Sequence, residues 1–196
     1  QLAPLVHSKP NKKGNTMSLL SPSALINFAS SDPGYGKNEE LWSEILPGLW
    51  MGGTADRDEL AAGSPTPHIK PNHFDTVVTL YGHAKPVDWY VKELRLAFYD
   101  HHEVDVDHHD LRQLVTSAHG DWQQGKRVLV RCQAGWNRSG LIMALILIKD
   151  GLTPSQAIDL IRNKRSDRAL CNHSFVNWLL TEAEAVLEEG TILPAA

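Results

Sequence analysis

Cys132 and Arg138 enclose the five residues Gln133, Ala134, Gly135, Trp136 and Asn137, and Ser139 and Gly140 follow directly. A thiol, a guanidinium, a hydroxyl and a run of backbone amides, held this close in the chain, can bind a tetrahedral oxyanion over a nucleophile. The flanks support that chemistry. An apolar β-type run, Val128-Leu-Val-Arg131, precedes the cysteine, and a long apolar run of helical type opens at about Leu141. A strand that ends in a tight loop and feeds a helix leaves unpaired N–H groups pointing into the loop, and the helix dipole adds partial positive charge there. The planar fork of an arginine can hold two oxygens of one anion, which a point-charge lysine cannot. The same surroundings favour a thiolate over a thiol, so nucleophile and anion cradle coincide.

These groups need a scaffold that delivers a strand end to a helix start. From Leu41 onward the chain alternates strand-like and helix-like stretches, as an α/β fold with helical cover requires. Strands are predicted over 45–51, 74–81, 93–98 and 127–131. Between Asp107 and Gln124, the residues Leu111, Leu114, Val115, Ala118 and Trp122 follow helical spacing and form one core-facing stripe. Thr153-Pro154-Ser-Gln156 opens a further helix, with Thr as cap, Pro in the first turn and Gln completing the capping box. The last helix is predicted from Asn172 to Glu188, with Phe175, Leu179, Ala183 and Leu187 on one side. Asn172 reads as its cap and Cys171 as a small core residue beside it, the alternative for Cys171 being a redox partner of Cys132.

Taken together, these motifs resemble the dual-specificity branch of the cysteine-dependent protein tyrosine phosphatases, in an atypical, small, single-domain form. The resemblance runs from about Leu41 to Leu187. Leu46-Pro-Gly-Leu-Trp50-Met-Gly-Gly is similar to the family's opening strand and Val77-Val-Thr-Leu to its second core strand. Arg127-Val-Leu-Val-Arg-Cys132 resembles the strand that carries the nucleophile. Residues 157–162, and then Asn172 with Phe175 and Leu179, resemble the two closing helices. The resemblance implies a central, mostly parallel, twisted sheet of four or five strands flanked by helices, with a phosphate-binding loop between strand and helix. It also implies a hydrolase acting through a phosphocysteine intermediate, with phosphotyrosine and phosphoserine or phosphothreonine in proteins as substrates.

Within that resemblance, Cys132 is the nucleophile, and Arg138 with the loop residues Gln133, Ala134, Gly135, Trp136 and Asn137 binds the phosphoryl oxygens. Ser139 eases departure of the sulfur, its plainer role being a helix N-cap. Expelling an alkoxide or phenoxide needs a proton, so a carboxylic acid must reach over the loop. The family keeps that acid some thirty residues before the cysteine. Asp100 stands there, after the strand-like Leu94-Arg-Leu-Ala-Phe-Tyr99, and is the first choice. Asp105 and Asp107 follow in the same acidic, histidine-rich segment, and the bland alternative for Asp100 is a turn cap.

The chain departs from the family pattern in two respects. Arg131 replaces the usual histidine before the nucleophile, and it can either favour the thiolate electrostatically or form a buried ion pair with no catalytic part. Trp136 and Asn137 replace smaller residues, and Trp136 can line the rim or pack beneath the loop. A catalytically weak phosphate-binding module is therefore the alternative reading. The Gly-aromatic-Asn-Arg-Ser pattern also resembles RNA 5′-triphosphatase relatives. The loop carries no lysine, which disfavours highly phosphorylated inositols. Arg162, Arg165 and Arg168 can offer a secondary phosphate contact or simply form a solvated helix end.

The 196 residues suit one domain with a tail, and the net charge of −4 gives no drive toward nucleic acid or anionic membranes. Residues 1–40, rich in Ser, Pro, Asn, Gly and Lys, read as a flexible N-terminal arm, residues 41–190 as the catalytic domain and 191–196 as a C-terminal tail. Residues 63–71 form a proline-rich loop. Two cysteines make no disulfide framework, so a reducing cytoplasm is expected. No cofactor or metal is required, the expected partner is a phosphorylated protein, and the chain is expected to act as a monomer. His101, His102, His108 and His109, interleaved with acids, lack the spacing of a metal site.

Overall fold

The computed structural model describes residues 41–54, 69 and 71–189. The expected arm over 1–40, the C-terminal tail and most of the proline-rich loop lie outside the described residues. Five strands and five helices are found among those described: β1 (Trp42–Leu46), β2 (Leu49–Gly52), β3 (Thr76–Thr79), β4 (Lys92–Arg95), α1 (His108–Gln123), β5 (Val128–Arg131), α2 (Arg138–Lys149), α3 (Pro154–Lys164), α4 (His173–Thr181) and α5 (Ala183–Glu188). They build one sheet in the order β1-β2-β5-β3-β4. Only β1 and β2 run antiparallel, and β5 lies between β2 and β3 as a fully buried parallel strand. The expected mostly parallel sheet with helices is therefore the fold, and β5 occupies its centre.

Side-chain alternation gives the sheet two unlike faces. Met51, Val78, Val128, Val130 and Cys132 join the large core that contains buried residues of all five helices. Val77 and Leu129 join a smaller cluster with Ile69, Phe74 and Val91, flanked by Trp42 and Trp50. Helix α2 supplies the centre of the large core, with Leu141 through Ile148 all buried. A helix apolar on every side must be surrounded, and α2 is. None of the described helices is long and apolar enough to cross a membrane.

Several boundaries differ from the sequence-based expectation, each for a local reason. The single strand over 45–51 is a hairpin, because Pro47-Gly48 is a turn dipeptide and Gly48 adopts φ +79°. The strand predicted over 93–98 ends at Arg95, where the ladder with β3 ends at Thr79, and only Leu96 N–H still donates to the Thr79 carbonyl. Helix α2 opens at Arg138 rather than Leu141, its polar first turn being hidden ahead of the apolar run. The last helix is two, since Thr181 Oγ1 donates to the Asn177 carbonyl and Glu182 leaves helical geometry. The Thr153 capping box and the α1 stripe are as expected.

At the end of the sheet away from the loop, the buried Asp121 carboxylate receives Lys126 Nζ at 2.6 Å, Lys92 Nζ at 2.7 Å and Thr76 Oγ1 at 2.9 Å. Burial alone would raise its pKa, but the three hydrogen bonds and the lysine charges outweigh it and hold the group below its ordinary value. Glu93 is held low against its own burial by Thr79, Arg95 and Arg131. The unfolded chain protonates such groups near their ordinary values of about 4, above the folded-state values, so it binds more protons as pH falls and stability is lost. The expected result is an unfolding temperature that is flat down to about pH 5 and drops below about pH 4.5. Asp121→Asn should start lower and fall less steeply; an unchanged slope in that variant would rule Asp121 out as a contributor.

Candidate active site

The loop between β5 and α2 is shaped from outside. The Gln133 carbonyl accepts from Thr54 N–H at 3.1 Å, the Gly135 carbonyl from Arg165 Nε at 3.2 Å and the Trp136 carbonyl from Leu170 N–H at 3.2 Å. In a trans peptide the carbonyl and the following N–H point opposite ways. Tying these three carbonyls to the surround therefore turns the N–H groups of Ala134, Trp136 and Asn137 away from it, toward the loop interior. None of these three amides donates to another protein group among the described residues. That leaves a nest of donors at a helix N-terminus, an arrangement suited to binding an anion.

Glycine is required where the loop meets β2. Gly135 has φ +75°, and a Cβ there would sit 2.3 Å from the Gly52 carbonyl carbon and 2.4 Å from Gly53 N. Gly53 in turn faces the Gln133 carbonyl so closely that its own Cβ would lie 2.8 Å away. Gly125 has a similar φ of +81° but open space around it. Gly125→Ala should therefore cost only the left-handed backbone penalty of about 1–2 kcal/mol. Gly135→Ala adds overlap with backbone and should cost about 2–4 kcal/mol in denaturant unfolding. Equal losses in the two variants would show that the contact with β2 carries no energy.

Cys132 lies at the bottom of this loop, 2% exposed. Its sulfur accepts from Gly135 N–H at 3.3 Å and sits 3.3 Å from Ser139 Oγ. Ser139 is fully buried within the first turn of α2 and does not cap it, so the N-cap reading of this residue is corrected. Arg138 is fixed through Nη1, which donates to the carbonyls of Leu80 at 3.3 Å and Phe98 at 3.2 Å, and its guanidinium carbon is 5.5 Å from the Tyr81 ring centroid. Its Nε is the one buried side-chain polar atom without a hydrogen-bond partner among the described residues. A buried donor left unpaired is costly, and a pre-aimed arginine beside a donor nest is the arrangement that an oxyanion repays.

Of the three candidate carboxylates, Asp100 is the one that touches the loop. Asn137 Nδ2 donates to its Oδ2 at 3.0 Å and Asn172 Nδ2 to its Oδ1 at 2.8 Å. Asp107 instead caps α1, accepting from His109 and Asp110 N–H, and Asp105 is exposed. The turn-cap reading of Asp100 fails, because side-chain amides occupy both of its oxygens.

The two departures from the family are settled by geometry. Arg131 follows the alternation of β5, so its side chain lies on the Leu129 face, opposite to Cys132. There it is 3% exposed, with Nε on Thr79 Oγ1 at 3.0 Å and Nη2 on Glu93 Oε1 at 3.2 Å and the Lys85 carbonyl at 2.7 Å. It is the buried ion pair and not a substitute for a histidine beside the thiol. Trp136 is partly exposed, with the Arg168 guanidinium 5.7 Å from its ring centroid, so it belongs to the rim.

Three further readings change. Arg165 is not part of a solvated cluster: it is 7% exposed and links the Gly135 carbonyl to Ser43 Oγ. Arg162 donates to the Ala169 and Leu170 carbonyls, so it too serves the backbone. Cys171 is exposed rather than in the core, because Leu170, at φ +56°, takes the buried place and turns the chain outward. Sequence reasoning missed Arg165 because its partners, Ser43 and Gly135, are remote in the chain. No group of His, Cys, Asp and Glu among the described residues is placed to hold a metal.

Comparison with known proteins agrees with this architecture. A model of the dual specificity phosphatase catalytic domain matches residues 66–185. The mouse protein named dual specificity protein phosphatase 12 is 32% identical over 148 residues, covering 73% of this chain. The chain spans only 41% of that relative's length. Among solved structures, human DUSP28 superimposes with a TM-score of 0.61 at 20% identity, over 76% of this chain and 97% of that one. The human tyrosine phosphatase-like serine/threonine/tyrosine-interacting protein gives 0.57 at 20% identity, over 74% and 96%. At such identity these two establish the fold alone. The fold is that of the cysteine phosphatases. Within it, the chain belongs to the dual specificity phosphatase family.

Proposed function

We propose that residues 41–190 form a phosphatase that hydrolyses phosphate monoesters through a phosphocysteine intermediate, with phosphotyrosine and phosphoserine or phosphothreonine in proteins as the substrate class. The observation that carries this reading is the convergence on Cys132 Sγ of Gly135 N–H and Ser139 Oγ, beneath a loop in which the Ala134, Trp136 and Asn137 amides and Arg138 Nε have no acceptor among the described residues. In the first step the Cys132 thiolate attacks phosphorus in line. The inward amides and Arg138 hold the equatorial oxygens, the P–O bond breaks, and Asp100 gives its proton to the departing oxygen. Water then attacks the thiophosphate, Asp100 takes a proton back, and the sulfur leaves as thiolate toward the Ser139 hydroxyl. Positioned donors around spread charge would supply most of the rate. Among the described residues Arg168 brings charge to the rim at Trp136, and the loop from Gln133 to Asn137 carries no charged side chain, which suits a single phosphoryl group.

The test is an acid quench of the protein turning over an aryl phosphate under reducing conditions, followed by mass analysis of the peptide carrying Cys132. The expected result is turnover together with one phosphoryl group on that peptide. Tungstate binding without turnover or phosphoryl transfer would replace the enzyme by a phosphate-binding module.

A further inference from the structure

Asn137 stands at the N-cap position of α2, yet it adopts αR geometry and makes no capping bond. Asparagine is among the strongest capping residues, so a cap position filled by an asparagine that declines to cap points to another duty. Its side chain turns instead toward Asp100. The orientation of the amide is fixed by its partners: Oδ1 accepts from Asn172 N–H at 3.0 Å and from Cys171 Sγ at 3.4 Å. A backbone N–H can only donate, so the oxygen must face Asn172 and the NH₂ must face the carboxylate, 3.0 Å away.

Asn172 is constrained in the same way. Its Oδ1 accepts from Ser174 N–H at 3.0 Å and Phe175 N–H at 3.4 Å as the cap of α4. Its NH₂ is thereby aimed at Asp100 Oδ1 and at the His101 carbonyl. Asp100 itself is exposed, on a segment with no ladder partner beyond Leu96, so nothing else described here fixes its carboxyl group. A cap on α2 would also have filled amides at the end of that helix facing the loop. By leaving them free, Asn137 serves the anion site and the carboxylate together.

We propose that Asn137 and Asn172 are positioning residues for Asp100, an amide clamp with one donor for each carboxylate oxygen that holds the proton donor in register with the phosphate loop. Asn137 belongs to that loop and Asn172 begins α4, so the clamp ties three separate segments at the reacting centre. The proposal rests on the phosphatase reading given above. A carboxyl group held this way matters in proportion to how badly the departing oxygen needs a proton. General acids contribute roughly 10²–10⁴-fold, and losing their alignment forfeits part of that.

The experiment measures kcat/KM for phenyl phosphate, whose leaving group needs a proton, and for 2,4-dinitrophenyl phosphate, whose leaving group does not. The variants are Asn137→Ala and Asn172→Ser, each also combined with Asp100→Asn. Serine keeps a capping oxygen for α4 while removing the amide donor. Each single variant should lose roughly 10-fold or more on phenyl phosphate and less than about 3-fold on the dinitrophenyl ester. In the Asp100→Asn background the further loss should fall below about 2-fold, because the group being positioned is already gone. The ratio of the two substrates does not depend on the fraction of protein that is folded. Equal losses on both esters, or full additivity with Asp100→Asn, would overturn the clamp while leaving the phosphatase reading intact. A parent protein inactive on both esters would overturn both.

Discussion

Cys132→Ser is expected to abolish turnover of an aryl phosphate, by on the order of 10⁵-fold or more, the scale on which a covalent nucleophile acts. The substitution keeps the size of the side chain almost unchanged, so the loop, with Gly135 against β2 and Arg165 on its carbonyl, should stand as before. What it removes is the sulfur, intrinsically a far better nucleophile than a hydroxyl oxygen. Gly135 N–H and Ser139 Oγ converge on the sulfur at 3.3 Å each, a pair of contacts suited to an anion there. A serine hydroxyl in the same place stays protonated and is a weak nucleophile without an adjacent general base. Tungstate affinity should survive within a few-fold, because the amides and Arg138 are untouched. Residual turnover at a tenth of the parent rate would mean that another group attacks phosphorus and that the two-step mechanism is wrong.

The second large effect is expected at Arg138. Lysine keeps the charge, yet it lacks both the fork and the Nε donor that is buried without a partner. It also cannot reproduce the seating of Nη1 on the Leu80 and Phe98 carbonyls, which aims the guanidinium. Arg138→Lys should therefore lose about 10³-fold in kcat/KM, in line with arginines that stabilise a phosphoryl transition state. Tungstate binding should weaken alongside it, unlike the cysteine variant. The contrast between the two variants separates attack from anion holding: one loses turnover and keeps the anion, the other loses part of both. A lysine variant within 10-fold of the parent would show that charge alone suffices and that the forked geometry does no catalytic work.

The same two residues mark how far the one-dimensional pattern reaches. The loop was legible because its parts are contiguous: a buried strand, Cys132, five loop residues, Arg138 and a helix follow one another, and local backbone geometry brings them to one point. Strand alternation and helical spacing likewise announced β5, the α1 stripe and the Thr153 cap, since each depends on residues within one or two turns or pleats. Where a local signal was overlooked, as at Pro47-Gly48, the boundary moved; where two local roles were both open, as at Ser139 with cap and sulfur partner, the helix start at Arg138 left only the second.

Contacts between distant segments were not legible at all. Whether Arg131 sits beside the thiol or across the sheet turns on which face each β5 side chain takes, and on Thr79 and Glu93 being there to meet it. That Asp100, rather than Asp105 or Asp107, meets the loop turns on the reach of Asn137 and Asn172, which approach from a loop and a helix far along the chain. Arg165 is bound to Ser43 across almost the whole domain. The sequence by itself determined the family and the strand, loop and helix that carry Cys132. The tertiary structure alone decided which carboxylate meets the loop and what holds it there, because hydrogen bonds between remote segments exist only once the sheet has been assembled.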